Sequence, residues 1–219
     1  RVKDAAGTAQ PLVLDSVRWL CYLAAMHQSP NFFPERTLSL LNIIPRRYTH
    51  MLKLIKLDEQ YKPQLTDMMD EWTATGETII PYAIRKCDYH DFPSYLASLE
   101  VTQPADGLVP DSTYFCMDTE RSIFVGAVNI RHYLSEGLLL SGGHIGDGIR
   151  PSERGKGLGT RMIALALGKC RELGIERVLM CCDSDNFASA RTIEKNGGVL
   201  ENVVVGGGAP VKRYWITLK

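Results

Sequence analysis

Arg154-Gly155-Lys156-Gly157-Leu158-Gly159-Thr160 decides the reading of this chain. Upstream, His144–Ile149 has the alternation of a strand and runs into Arg150-Pro151-Ser152-Glu153. Downstream, Met162, Leu165, Ala166, Cys170 and Leu173 recur at helical spacing until Gly174 stops the pattern. The glycines therefore lie between a strand and the start of a helix. Unpaired N–H groups at a helix N-terminus, together with the helix dipole, receive phosphate oxygens. Glycines let the backbone approach such a ligand without an intervening Cβ.

Three nucleotide motifs compete for this loop. A P-loop requires Gly, four residues, then Gly-Lys-Ser/Thr; here Arg150 holds the first position and Gly157 follows the lysine. A dinucleotide fingerprint requires Gly-x-Gly-x-x-Gly, and Gly155-Lys156-Gly157 runs on to Thr160. The third pattern fits. Arg154-x-x-Gly157-x-Gly159 resembles the acyl-CoA pyrophosphate loop of the GNAT superfamily of N-acyltransferases. Gly146-Asp147-Gly148-Ile149-Arg150-Pro151-Ser152-Glu153 resembles the strand and proline turn that precede that loop. Asn186-Phe187-Ala188-Ser189-Ala190-Arg191, followed by Ile193-Glu194-Lys195-Asn196-Gly197-Gly198, resembles the family's second CoA-contacting segment. The likeness is close over residues 142–218, loose over 51–141, and absent from 1–50. Within the superfamily, Gly142-Gly143-His144-Ile145-Gly146 with Arg150-Pro151-Ser152-Glu153-Arg154-Gly155-Lys156-Gly157 is similar to a bacterial group described as predicted acetyltransferases.

The resemblance implies an α/β fold: a GNAT-like single domain with a twisted mixed central sheet and helices on both faces. It implies acetyl-CoA as co-substrate. The fourth strand would splay from the fifth, with the pantetheine arm pairing to backbone around Ile149. Gly155, Gly157, Leu158, Gly159 and Thr160 would hold the pyrophosphate, with Arg154 and Lys156 adding charge; Lys156 reads equally as a solvated loop lysine. Asn186 and Ser189 would meet the pantetheine or sulfur region, against the plainer reading of an N-cap and a helix-face serine.

Transfer of an acyl group to an amine requires removal of an amine proton, stabilisation of the thioester oxygen and departure of a thiolate. Ile145, Asp147 and Ile149 share one face of their strand, and an aspartate between isoleucines is out of place there unless it has work to do. Asp147 is thus the first candidate base and His144 the second. Glu77 is a further candidate for the pocket wall. Many family members carry a tyrosine acid where this chain has Ile193, which cannot protonate a thiolate; Tyr214 is the candidate replacement.

Outward from this segment, Val178–Cys182 reads as a strand and Asn186 to Lys195 as a helix. Val199–Val205 and Val211–Leu218 read as strands around Gly206-Gly207-Gly208-Ala209-Pro210. Upstream, Met51 opens a strand. Residues 61–74 predict a helix with Leu65, Met68, Met69 and Trp72 on one face. Phe92-Pro93 starts a second helix through Leu99. Ser112–Met117 and Ser122–His132 predict a hairpin. The domain is expected over 51–219. Residues 1–50, with a possible amphipathic helix from Pro11 to Met26, read as an N-terminal arm.

The chain has 219 residues, 45% apolar and 23% charged, with 25 Lys and Arg balancing 25 Asp and Glu. That composition is globular, and a zero net charge argues against nucleic-acid or anionic-membrane partners. No apolar run of about 18 residues occurs, so no membrane span is expected. Six cysteines without framework spacing read as reduced thiols of a cytoplasmic protein. Cys87, Asp88, His90 and Asp91 are the only local grouping with metal-ligand chemistry, and no metal is expected. The expected partner is a small amine, with aminoglycosides, polyamines and amino-acid derivatives all open, and a homodimer is possible. A CoA-binding regulatory module without catalysis and a protein N-terminal acetyltransferase are the alternatives.

Overall fold

The structure is a computed structural model and describes residues 51–104 and 107–218. The expected arm and its helix lie outside the described residues. Strand β1 (Leu52–Ile55) leads through a turn capped by Asp58 into helix α1 (Lys62–Ala74), which has a proline in its first turn. Leu65, Met68, Met69 and Trp72 recur at i, i+3, i+4 and i+7, and all four are buried as the sequence predicts. Each such side chain contributes about 1.5–3 kcal/mol by leaving water. Helix α2 (Phe92–Ser98) starts where the Asp91 carboxylate accepts the Ser94 N–H at 3.4 Å.

Strands β2 (Asp111–Asp118) and β3 (Ile123–Arg131) form the predicted hairpin. The Asp118 carboxylate closes its turn by accepting the Glu120 and Arg121 N–H groups. With β1 and β4 (Ile145–Ile149), these strands make a four-stranded antiparallel sheet ordered β1-β2-β3-β4. One face packs Phe115, Phe124 and Ala127 against α1 and α2. The other packs Cys116, Val125, Val128 and Ile130 against helix α3 (Leu158–Glu172). The helices thus lie on both faces of the sheet.

Strand β5 (Arg177–Asp183), helix α4 (Phe187–Lys195), and strands β6 (Val199–Gly206) and β7 (Ala209–Thr217) complete the domain. Their three strands form a second antiparallel sheet ordered β5-β7-β6. The expected five-residue connection between β6 and β7 contracts to Gly207-Gly208, both at positive φ, so the strands extend to Gly206 and Ala209. Two residues at positive φ match the right-handed twist of a hairpin.

The apolar face of α3 also differs from expectation. The helix buries Leu158, Met162, Ile163, Ala166, Leu167 and Cys170, while Leu165 and Leu173 remain exposed. The buried stripe is wider than one period row and displaced around the axis, because α3 meets β1, β3 and α4 together. Among the described residues, no helix is long and apolar enough to cross a membrane. Nor do three or more His, Cys, Asp or Glu side chains converge on a metal position there.

Candidate functional site

The edge strands of the two sheets, β4 and β5, meet at one point. His144 donates its N–H to the Leu179 carbonyl at 2.8 Å. The Leu179 N–H donates in turn to His144 Nδ1 at 2.9 Å, so an imidazole stands where a ladder carbonyl would have been. Below that junction the strands diverge and leave a cleft of about 630 Å³. Asp147, Gly148 and Ile149 line it from β4, Asn186 and Ser189 from the start of α4, and the glycine-rich loop closes its wide end.

Gly155 and Gly157 both adopt φ of +76°, a left-handed conformation that favours glycine, and a Cβ on either would enter open space. Gly157 is the N-cap of α3 and has no side chain to cap the helix. The first intrahelical bond goes from the Arg161 N–H to the Gly157 carbonyl, so the amides of Leu158, Gly159 and Thr160 point out of the helix start. The sequence-predicted residues Ile149, Arg154, Gly155, Gly157, Leu158, Gly159, Thr160, Asn186 and Ser189 therefore line one cleft. Lys156 does not; its ammonium pairs with Glu153 at 3.2 Å.

Two ion-pair networks hold the loop in place. Arg150, with a nearly buried side chain, donates Nε to Glu71 at 2.7 Å and Nη1 to Asp67 at 2.7 Å. Glu71 also accepts the Ser152 N–H at 2.8 Å, tying α1 to the end of β4. Burial raises the pKa of the Glu71 carboxyl, but the Ser152 amide and the Arg150 guanidinium outweigh it and hold the group below its ordinary value. On the other side, Arg121 forks onto both oxygens of Glu153 at 2.8 and 2.9 Å and reaches Asp118 at 2.7 Å. A bidentate fork fixes orientation as well as charge.

The three sequence-predicted catalytic residues have different surroundings. Asp147 is half-buried on the cleft wall and makes no hydrogen bond or ion pair among the described residues. Burial pushes its carboxyl up to about 6, with Arg131 pulling the other way. His144 is buried at the strand junction, away from the cleft lining, with Nδ1 occupied. Burial, then Arg131, lowers its pKa to about 4, which keeps the ring neutral and Nδ1 free to accept. Tyr214 is buried in β7, and its hydroxyl donates to Glu194 at 3.3 Å. Ile193 is fully buried in the core.

Within the second segment the sequence singles out Asn186 and Ser189, and not the rest of the far wall of the cleft. Ala188, Arg191, Thr192 and Lys195 follow i, i+3, i+4, i+7 along α4 and line it together. They form the polar stripe opposite buried Ala190 and Ile193, a signal that was present in the periodicity. The sequence gives Arg154 a role at the phosphate alone. Here its Nε donates to the Ile149 carbonyl at 3.1 Å and Nη1 pairs with Glu77 at 2.7 Å, while the guanidinium lies 5.6 Å from the Trp72 ring centre. Asn186 accepts the Ser189 N–H at 3.0 Å as the helix N-cap and also lines the cleft.

A comparison with curated proteins gives no match. Several solved structures share the fold. RimL, a ribosomal alpha-N-protein acetyltransferase in complex with coenzyme A, superposes with a TM-score of 0.56 at 17% identity, over 76% of this chain and 94% of that one. MccE, a microcin self-immunity acetyltransferase in complex with acetyl-CoA and AMP, gives 0.55 at 16%, over 76% and 92%. A GNAT-family acetyltransferase from Bacillus anthracis gives 0.50 at 17%, over 76% and 94%. Residues 66–199, more than half of the chain, match the family described as acetyltransferase (GNAT) domain. That span runs from α1 through the glycine-rich loop and α4 to the start of β6, and with it the chain belongs to the GNAT family of acetyltransferases, which are acyltransferase enzymes.

Proposed function

We propose that this protein is an acetyl-CoA-dependent N-acetyltransferase whose acceptor is the amine of a small molecule. The observation that carries the proposal is the unpaired Asp147 carboxylate, lying along β4 between the uncapped helix start and the strand junction at His144. Acetyl-CoA fits the residues present. The amides of Leu158, Gly159 and Thr160 supply donors for a pyrophosphate, and the left-handed glycines leave its approach clear. Arg154, Arg191 and Lys195 supply positive charge around that position. β4 has no β5 ladder partner at Ile149, whose carbonyl accepts from Arg154 Nε, so the edge of the strand there suits an amide-bearing arm laid along it.

Acetyl-CoA supplies an activated acetyl thioester; the chain's own groups do the rest. Asp147 receives a proton from the acceptor ammonium, so that the free amine attacks. A carboxylate with pKa near 6 is mostly ionised at neutral pH and remains a stronger base than an ordinary aspartate. His144 acts on position: it fixes the spacing of β4 and β5 at the apex of the gap. The Tyr214 hydroxyl is engaged by Glu194 of α4, so the thiolate departs as the anion and the second proton of the attacking nitrogen passes to solvent.

The cleft argues against a polycationic acceptor. Such a substrate needs converging carboxylates, whereas Glu77 is neutralised by Arg154 and Asp147 stands alone. The test is release of free thiol from acetyl-CoA with amino acids, polyamines, aminoglycosides and peptides offered in turn. Release that depends on a small amine is the expected result. Release with peptides alone, or acetyl-CoA binding with no acceptor turned over, would overturn the reading.

A further inference from the structure

Helix α4 brings two positive charges to the wall of the cleft, and no protein group answers them there. Arg191 and Lys195 stand at i and i+4, so both lie on the face of α4 that lines the cleft. Like charges at that spacing repel and weaken a helix. A carboxylate beside them would relieve the repulsion, and none does. Neither side chain forms an ion pair among the described residues. Glu194, the one carboxylate of α4, accepts from the Tyr214 hydroxyl at 3.3 Å.

The other cations of the cleft are already matched. Arg154 pairs with Glu77 at 2.7 Å, and Glu153 is held by Arg121 at 2.8 Å and Lys156 at 3.2 Å. Asp147 lies along β4, toward the strand junction. Among the described residues, Arg191 and Lys195 are therefore the unmatched cations lining the cleft.

Contacts between α3 and α4 fix where this pair stands. Asn196 Nδ2 donates to the Thr160 carbonyl at 3.1 Å and to the Thr192 carbonyl at 2.9 Å, which ties the last turn of α4 to the first turn of α3. A Cβ on Gly159 would lie 3.8 Å from Thr192 Oγ1. Thr192 is thus level with the start of α3, and Arg191 and Lys195 flank it on the α4 side. The pyrophosphate already has the α3 amides and the helix dipole. Coenzyme A carries one more phosphate, a monoester on the ribose 3′ position. A phosphomonoester bears about two negative charges at neutral pH, which equals the charge of this pair.

We infer that Arg191 and Lys195 form a second phosphate subsite that takes the ribose 3′-phosphate of the donor, so that the enzyme distinguishes coenzyme A from its dephosphorylated form. The inference rests on the donor reading above and deepens it. The pair sets donor specificity and takes no part in proton transfer.

The test is calorimetry of the full chain with coenzyme A and with 3′-dephospho-coenzyme A, which keeps the pyrophosphate. The wild type is expected to bind coenzyme A at least about tenfold more tightly. Arg191→Gln and Lys195→Gln should each weaken coenzyme A by about fivefold and leave the dephosphorylated ligand within about twofold. Lys195→Arg, which keeps the charge, should retain the preference, and Arg191→Gln with Lys195→Gln should abolish it. Unliganded Lys195→Gln should melt no lower than the wild type, because it removes a like-charge pair. Equal binding of the two ligands by the wild type, or variants that change neither affinity, would overturn the inference. Variants that lose affinity for both ligands in parallel would overturn it too, and would assign the pair to the pyrophosphate. Failure of the wild type to bind either ligand would instead overturn the donor reading, and this inference with it.

Discussion

His144 accepts the Leu179 N–H on its ring nitrogen at 2.9 Å, and this bond marks where two sheets stop being one. A backbone carbonyl at that place would continue the ladder. An imidazole ends it, and β4 and β5 diverge below. A fold whose function needs a gap between adjacent strands must terminate their pairing without leaving a buried donor unmet.

Replacing His144 by Phe should therefore destabilise the domain by about 1–3 kcal/mol, because the Leu179 N–H loses its partner inside the core. His144→Asn, whose side-chain oxygen can accept, should recover part of that loss in denaturant melts. The linkage sign follows from the lowered pKa. With a value of about 4 in the folded state against 6.5 ordinarily, the unfolded chain binds more protons between them. His144 thus contributes stability that is present above about 6.5 and is lost as pH falls toward 4. Equal loss in the Phe and Asn variants would mean that only packing matters here.

Gly157→Trp should abolish measurable acetyl-CoA binding, since it forces a bulky residue into φ of +76° at the mouth of the donor cleft. Strain alone is controlled for by Gly174→Ala, at φ of +75° beyond the far end of α3, where stability should fall and acetyl-CoA affinity should not. Retained binding in the Trp variant would remove the loop from the donor site.

The two glutamates beside the loop should behave differently. Glu71→Gln weakens the bonds to nearly buried Arg150 and to the Ser152 amide, and should cost about 1–3 kcal/mol in chemical denaturation. Glu77→Gln breaks an exposed pair with Arg154 and should change stability by less than about 0.5 kcal/mol. It should tighten acetyl-CoA binding, because the Arg154 charge at the cleft is no longer offset by a carboxylate. Weaker binding in this variant would show that the Glu77 contact orders the site.

Much of this arrangement was legible in the sequence. The α1 face, the β2–β3 hairpin and the strand–glycine–helix segment each rest on local periodicity or turn chemistry, which a single chain displays. The cleft residues of the loop were legible for the same reason. What escaped were long-range pairings: Glu71 with Arg150, separated by 79 positions, and Glu153 with Arg121, separated by 32. Charged residues on a helix face look alike whether they meet water or a distant partner. His144 shows the converse limit. Imidazole chemistry makes it a candidate base and a hydrogen-bonded structural histidine alike, and the sequence alone does not show the Leu179 N–H that its Nδ1 accepts. The rotated stripe of α3 has a similar origin, since periodicity gives a face but not the number of neighbours that will cover it.

The most direct measurement is the pH dependence of amine-dependent thiol release by the wild type and Asp147→Asn, side by side. The acceptor's own ionisation is common to both and cancels in the ratio of their rates. With Asp147 as the base, the wild type should lead by about 10²–10⁴-fold at neutral pH. That lead should shrink as pH falls through about 6, where the Asp147 carboxyl takes up its proton. Acetyl-CoA affinity should be nearly equal in the two proteins. A variant that keeps the wild-type rate, or a ratio that stays flat from pH 5 to 8, would contradict the account.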